Sequence, residues 1–333
     1  MTEHSKISRL ARADRPSRQG QSLIERATAR FDLNSLIARP HFLPSEVSRN
    51  MPAAPEVRGL AGPEQASAPA NDPQVAQPAK SAPTRVEFHG KAHPVDRDRL
   101  REQGLIVPEG AVTALLEEFR IVKRQILVQA ADLRRQNAGA MAQRVLISSP
   151  HPGEGKTYCA LNLALAMAAE TESEVLLVDA DFAKPSLLST LGLPGGPGLM
   201  DALMDETLDV RDCVLGTDIP GLWVLPAGDT TNHDSEYLAS SRTARVLERL
   251  TEGAPRRMVI FDSPPALAAS PAAELAKYVG QAIVIVRADR TGQGSLEDAI
   301  SLLSACPNVQ LLLNGAQFSP SGRRFGTYYG YKG

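Results

Sequence analysis

The run "RVLISSPHPGEGKTYCALNLALA", Arg144 to Ala166, places a short β-rich stretch, a glycine-rich turn and an apolar helical stretch in direct succession. Few folds accommodate such a turn, which carries Gly153, Gly155, Lys156 and Thr157. Glycines let backbone N–H groups curl around phosphate oxygens, a lysine neutralises β/γ charge, and a neighbouring hydroxyl can meet Mg²⁺. The strict spacing GxxxxGK[ST] is not kept, because Pro150 stands where its first glycine would be. A chance GxGKT in a turn is the bland alternative, and the flanking strand and helix weigh against it.

Matching acids occur further on. "VLLVDADFAKP" ends one apolar run in Asp179 and Asp181, and "MVIFDSPP" ends another in Asp262. A lone carboxylate after a strand is often only a helix cap or a turn former. Three of them after apolar strands, beside a phosphate loop, make a nucleotide site at the strand carboxyl ends, with Asp262 in the Walker B position for holding Mg²⁺ directly or through water.

The runs "RVLISS", "SEVLLVDA", "GLWVLPA", "RMVIFDS", "QAIVIVRA" and "VQLLLNG" alternate with helix-like segments such as 156–169 and 235–250. Continuous apolar strands between helices predict a parallel sheet covered on both faces, an α/β doubly wound fold. Ahead of it, "AVTALLEEFRIVKRQILVQAADLRRQ" carries Leu115, Leu116, Phe119, Val122, Ile126 and Leu127 at helical spacing and predicts an amphipathic helix.

Residues 1–85 read differently. "PEQASAPANDPQVAQPAKSAPT" cannot bury enough apolar area to offset its ordering entropy, so this part is expected to be a tail and linker. Within it "SLIERATARF" has Leu23, Ile24, Ala27 and Phe31 near helical spacing. A transient helix is the favoured reading, ahead of a docking helix for a partner or an anionic lipid surface. Residues 86–110 are expected to connect, 111–320 to form the nucleotide-binding domain, and 321–333 to be a tyrosine-rich tail. His89 and His93 would suit a metal only on a helix, which Gly90 and Pro94 disfavour.

The net charge of −2 and pI near 6.3 give no global field for nucleic acid or acidic surfaces. Cys159, Cys213 and Cys306 are scattered and odd in number, so neither a disulfide framework nor a zinc site is expected. No apolar stretch approaches the roughly 18 residues of a membrane span, and the N-terminus lacks the apolar run of a secretory signal. A cytosolic location is the expectation.

Taken together, "PGEGKT", "LLVDADFAKPSL" and "VIFDSPP" resemble the Walker A, Walker A′ and Walker B motifs of bacterial protein-tyrosine autokinases (BY-kinases). The resemblance covers roughly residues 105–333 and implies a P-loop NTPase of the deviant Walker type, using ATP and Mg²⁺. "EEFRIVK" is similar to the family's subunit-contact helix, with Glu117, Arg120 and Lys123 at its three positions and lysine replacing the last arginine. "DFAKP" departs from the family in Ala183, and "TTNHDSEY" lacks its usual prolines. The absence of spans, the long N-terminus and "LREQGLIVP" look most like the subgroup encoded with exosortase-type exopolysaccharide loci.

The resemblance also accounts for "FGTYYGYKG", which holds three of the chain's six tyrosines. BY-kinases end in a tyrosine cluster that they phosphorylate on one another, making Tyr328, Tyr329 and Tyr331 the implied acceptors. Lys156, Asp179 and Asp181 are the implied catalytic groups, with Asp181 accepting the phenol proton and Asp179 able to exchange roles with it. Gly153, Glu154, Gly155, Lys156, Thr157, Tyr158 and, as an adenine contact, Asn314 would bind the nucleotide. Thr157, Asp179 and Asp262 would hold the metal. Implied partners are further copies in a ring, the cytoplasmic tail of a membrane polysaccharide co-polymerase, and a protein-tyrosine phosphatase. Nucleic acid is not expected, and membrane contact would be indirect, at the inner face of the plasma membrane. The rival is a septum- or partition-type ATPase switch. Such proteins carry a signature lysine in "KGGxGKT" where this chain has His151, followed by Pro152.

Overall fold

A computed structural model of the chain describes residues 85–170 and 173–316. The expected tail and linker, up to residue 84, and the tyrosine-rich segment with Tyr328, Tyr329 and Tyr331 lie outside the described residues.

Its centre is four parallel strands whose Val, Ile and Leu side chains, all but the half-buried Val286, are buried on both faces: β2 (Arg144–Ser148), β3 (Glu174–Asp179), β6 (Arg257–Asp262) and β7 (Gln281–Arg287). Such runs need helices above and below, because neither face can be left to water. Around them lie β1 (Ala92–His93), β4 (Leu215–Thr217), β5 (Leu222–Leu225) and β8 (Val309–Asn314), giving the order β1-β4-β5-β3-β6-β2-β7-β8. Among the described residues only the β4–β5 pair is antiparallel. The α/β doubly wound class expected from the alternation is the one observed. β1 and β4 were not legible as strands, being only two and three residues long.

The remaining helices are α1 (Arg97–Glu102), α2 (Ala114–Arg135), α3 (Lys156–Ala168), α4 (Leu187–Leu191), α5 (Leu199–Met204), α6 (Asp234–Ala239), α7 (Ser241–Arg249), α8 (Pro271–Ala276) and α9 (Gln293–Leu302). α2 starts where the Thr113 hydroxyl accepts from Leu116 N–H at 3.2 Å, an N-cap, and buries Phe119, Ile126, Ala130 and Leu133. Beyond its first turn α3 is apolar except for Asn162, whose Oδ1 accepts from Ile106 N–H at 2.8 Å, and every residue from Cys159 to Ala168 is buried. The helix expected over 235–250 is two helices, because Ser240 is extended (φ −71°, ψ 155°) and ends one while starting the other.

Residues 86–110, expected only to connect, are built into the core. Val86, Phe88, Val95, Leu100, Leu105 and Ile106 are all buried. The side chain of Arg257, 0% exposed, explains why. Its guanidinium donates to Val86 O (2.8 Å), Leu250 O (2.7 Å) and Glu174 Oε1 (2.7 Å), and lies 3.8 Å from the centre of the Phe88 ring. A buried charge is tolerated only when paired and hydrogen-bonded, and this segment supplies part of that coordination.

Candidate nucleotide and metal site

The strand β2 ends between β6 and β7, and the chain turns there into α3. Gly155 is the residue before α3 and has φ +99°, while Gly153 has φ +78°. Both values favour glycine, so the turn requires the residues the sequence places there. A glycine turn leading into a helix N-terminus is the kind of backbone that suits an anion.

Two side chains brace this loop from behind. Glu154, 5% exposed, turns its carboxylate into the protein, where Oε2 accepts from His151 N–H (2.8 Å) and Oε1 from the Thr291 hydroxyl (2.5 Å). Thr291 in turn accepts from Arg287 N–H at 2.8 Å. From the end of β8, Asn314 Nδ2 donates to Glu154 O at 2.9 Å, and a Cβ on Gly155 would come within 2.2 Å of that nitrogen.

The carboxylates converge as the strand register dictates. Asp179 and Asp262 are lateral partners on β3 and β6, and Ile147 of β2 flanks Asp262 on the other side. Lys156 Nζ sits 2.6 Å from Asp181 Oδ2. Asp179 is occupied structurally: Oδ2 accepts from Ser186 and Leu187 N–H, both at 3.0 Å, and Oδ1 from Asp181 N–H at 3.3 Å. It thus holds the loop that carries Asp181. Burial pushes its carboxyl above the usual range, against the pull of those backbone donors.

Asp262 is the unusual member. It is fully buried, and neither carboxylate oxygen has a hydrogen-bond partner of normal geometry, although the Thr157 hydroxyl lies near enough to favour the ionised form. Burial pushes its carboxyl up to about 7, with Asp179 and Asp181 adding to the rise and Lys156 opposing it. Two orphaned buried oxygens beside a threonine hydroxyl suit a hard cation. Among the described residues no group of three His, Cys, Asp or Glu could enclose a metal alone, so phosphate and water oxygens would complete its shell.

Three predicted residues make contacts within the chain. The Tyr158 hydroxyl donates to Gly104 O at 2.9 Å, which directs the ring toward the segment before α2. Asn314 contacts the phosphate loop's own backbone. Lys123 is only 8% exposed, with Nζ on Ala166 O (3.1 Å) and Glu170 Oε1 (2.7 Å) at the far end of α3. Of the three residues read as a subunit contact, Glu117 and Arg120 keep surface exposure, paired with each other, and Lys123 is spent inside its own chain. Thr291 was missed: its partner Glu154 is 137 residues away, and "RADRT" carries no local sign of the contact.

No family model matches the chain. The tyrosine-protein kinase ptk of Acinetobacter johnsonii is 32% identical over 153 residues, 46% of this chain and 20% of that protein. Tyrosine-protein kinase YwqD of Bacillus subtilis is 28% identical over 219 residues, 65% of this chain and 86% of that protein. The homologues are bacterial tyrosine-protein kinases. Among solved structures, the chimerical protein CapA2B2 is 26% identical with a TM-score of 0.50, covering 65% of this chain and 97% of that one. The P-loop NTPase fold expected from the motifs is therefore the fold observed. The chain spans only a fifth of ptk's length. No helix among the described residues is long and apolar enough to cross a membrane.

Proposed function

We propose that this chain is an ATP- and Mg²⁺-dependent protein-tyrosine kinase whose acceptors are Tyr328, Tyr329 and Tyr331 of a neighbouring copy. The observation that carries the reading is the convergence of Lys156, Asp181 and the unpartnered Asp262 at the mouth of a glycine-built phosphate loop, in a chain whose homologues are named tyrosine-protein kinases.

The loop N–H groups and Lys156 would hold the β- and γ-phosphates. Thr157 and Asp262 would hold Mg²⁺, with Asp179 acting through water; the ion would neutralise charge developing on the phosphate oxygens. Asp181 would accept the proton of the incoming phenol, a group near pKa 10 that is a weak nucleophile at neutral pH. The phenolic oxygen forms a bond to the γ-phosphorus as the bond to the bridging oxygen breaks, the proton passes to the Asp181 carboxylate, and ADP leaves. Because Asp181 also pairs with Lys156, the lysine must divide its charge between carboxylate and phosphate. Catalysis would then rest on positioning and neutralisation.

By similarity to kinases of capsule and exopolysaccharide systems, the output would be control of exopolysaccharide polymerisation and export, within the subgroup of exosortase-linked loci. A ring of copies would assemble through the face carrying Glu117 and Arg120. The cytoplasmic tail of a membrane co-polymerase would recruit and activate it, and a phosphatase would reset it.

The test is mass spectrometry of the full chain incubated with Mg·ATP, beside Lys156→Ala and a triple Tyr328/Tyr329/Tyr331→Phe variant. Phosphate on the tail tyrosines that is lost with Lys156→Ala is the expected result. ATP turnover without any phosphotyrosine, even with the partner tail added, would assign the site to an ATPase switch.

A further inference from the structure

The groups suited to phosphate and metal stand on one flank of the phosphate loop. Asp262 ends β6 and Asp179 ends β3, both on one side of β2 in the sheet order, and Lys156 pairs with Asp181 just beyond β3. The other flank is made by the carboxyl ends of β7 and β8, whose last residues, Arg287 and Asn314, are register partners. A triphosphate with its outer phosphates toward Lys156 and Asp262 would carry its nucleoside the opposite way, over this second flank.

Arg287 is fixed there. Its N–H donates to the Thr291 hydroxyl at 2.8 Å, and that hydroxyl donates to Glu154 of the loop at 2.5 Å. By the two-residue period its side chain leaves the sheet on the face of Ile285, which packs in the core shared with α3. A Cβ on Gly315 would stand 3.1 Å from Arg287 Nε and 3.2 Å from Cζ, so the flat of the guanidinium lies against a backbone that carries no side chain. Gly315 also has φ +68°, a conformation that favours glycine.

The guanidinium itself is uncommitted. It carries five N–H donors, yet this half-buried side chain makes no hydrogen bond or ion pair among the described residues. Arg97 and Arg249, half-buried as well, each hold two carboxylates. Asn314, the neighbour expected to meet adenine, already has its amide nitrogen on Glu154 O.

We infer that Arg287 is a nucleobase-binding residue, its guanidinium backed by Gly315 and stacked on the face of the base of a bound nucleoside triphosphate. The inference rests on the nucleotide-binding part of the reading above and not on the tyrosine acceptors. Stacking sets the selectivity. Adenine's edge places an amino donor beside N7, so a group with donors alone meets a mismatch there, whereas guanine offers two acceptors, N7 and O6. The π-face is common to both bases, and a guanidinium over it gains cation–π attraction in either case. Adenine and guanine nucleotides are therefore held alike.

The experiment is calorimetric titration of the full chain, in Mg²⁺, with ATP, GTP and ribose 5-triphosphate, which lacks a base. Wild type should bind ATP and GTP within about tenfold of each other. Arg287→Ala should weaken both by about three- to thirtyfold and leave ribose 5-triphosphate unchanged, which also shows that the loop is still folded. Arg287→Lys keeps the charge without the plane and should recover little. No loss in Arg287→Ala, an equal loss for ribose 5-triphosphate, or full recovery with lysine would each overturn the proposal. So would a loss confined to GTP, since the guanidinium would then be reading the edge of the base. Tyrosines that never take phosphate would remove the kinase reading and leave these affinities as predicted, whereas a wild type that binds none of the three ligands would overturn both.

Discussion

The carboxylate of Glu154, inside the phosphate loop, and the hydroxyl of Thr291, in the turn between β7 and α9, are joined at 2.5 Å across 137 residues. A hydrogen bond to a charged, buried group is worth about 1.5–3 kcal/mol, so Thr291→Val should weaken nucleotide binding by roughly tenfold to a hundredfold. Titration with a fluorescent ATP analogue measures this. Thr291→Ser keeps the hydroxyl and should restore most of the affinity, whereas a defect shared by both variants would mean that only packing was lost.

Gly155→Ala should abolish nucleotide binding while leaving the fold intact. The new methyl would stand 2.2 Å from Asn314 Nδ2, and the backbone at φ +99° is unfavourable for alanine. Adding Asn314→Gly removes the clash and leaves the backbone strain, so the double variant should recover only part of the binding. Full recovery would show that the clash alone is responsible.

Asp262 makes a pH prediction with a definite sign. Its carboxyl stands at about 7 in the fold against 3.8 in an unfolded chain, so the folded protein holds the proton more tightly. That contribution to stability is fully present below 3.8 and is lost as pH rises through about 7. Thermal melts from pH 5 to 8 without Mg²⁺ should show wild type falling progressively below Asp262→Asn, which mimics the protonated form. Saturating Mg·ATP should reverse the ranking at pH 8, because the ionised carboxylate then gains its counter-charge. A constant gap across the range would remove the assigned titration.

Cys159 and Cys213 should be inert in the native chain. Burial pushes their thiols up to about 12 and about 11, so little thiolate exists at pH 8. Cys306 is buried too, with its thiol also raised. Labelling with a thiol-reactive chromophore at pH 8 should report no fast-reacting cysteine until denaturant is added.

A chain beginning at residue 111 should fail to fold, and one beginning at residue 85 should succeed. Without Val86 and Phe88, Arg257 would lose an acceptor and the ring beneath its guanidinium. Phe88→Ala alone should cost about 3–5 kcal/mol in urea unfolding, the range for deleting a large buried aromatic.

The sequence announced the core of this fold because strands buried on both faces leave an unmistakable signature. "RVLIS", "EVLLVD", "RMVIFD" and "QAIVIVR" are continuous apolar runs, and each became a central strand. The phosphate loop was legible for a similar reason: its chemistry is local, with Gly153, Gly155 and Lys156 adjacent in the chain. What escaped was non-local. The short β1 exists because β4 is beside it, and the burial of Lys123 depends on Glu170 of another element. Asn314 was picked out, yet its contact with Glu154 could be known only after β8 had been placed beside β7.

Asn314 is also the last residue of β8, and Gly315 and Ala316 alone separate it from residues 317–333. The side chain that steadies the nucleotide loop therefore stands at the very end of a strand joined to the rest of the described sheet through β7, so a distortion of that strand is felt at the loop through one amide.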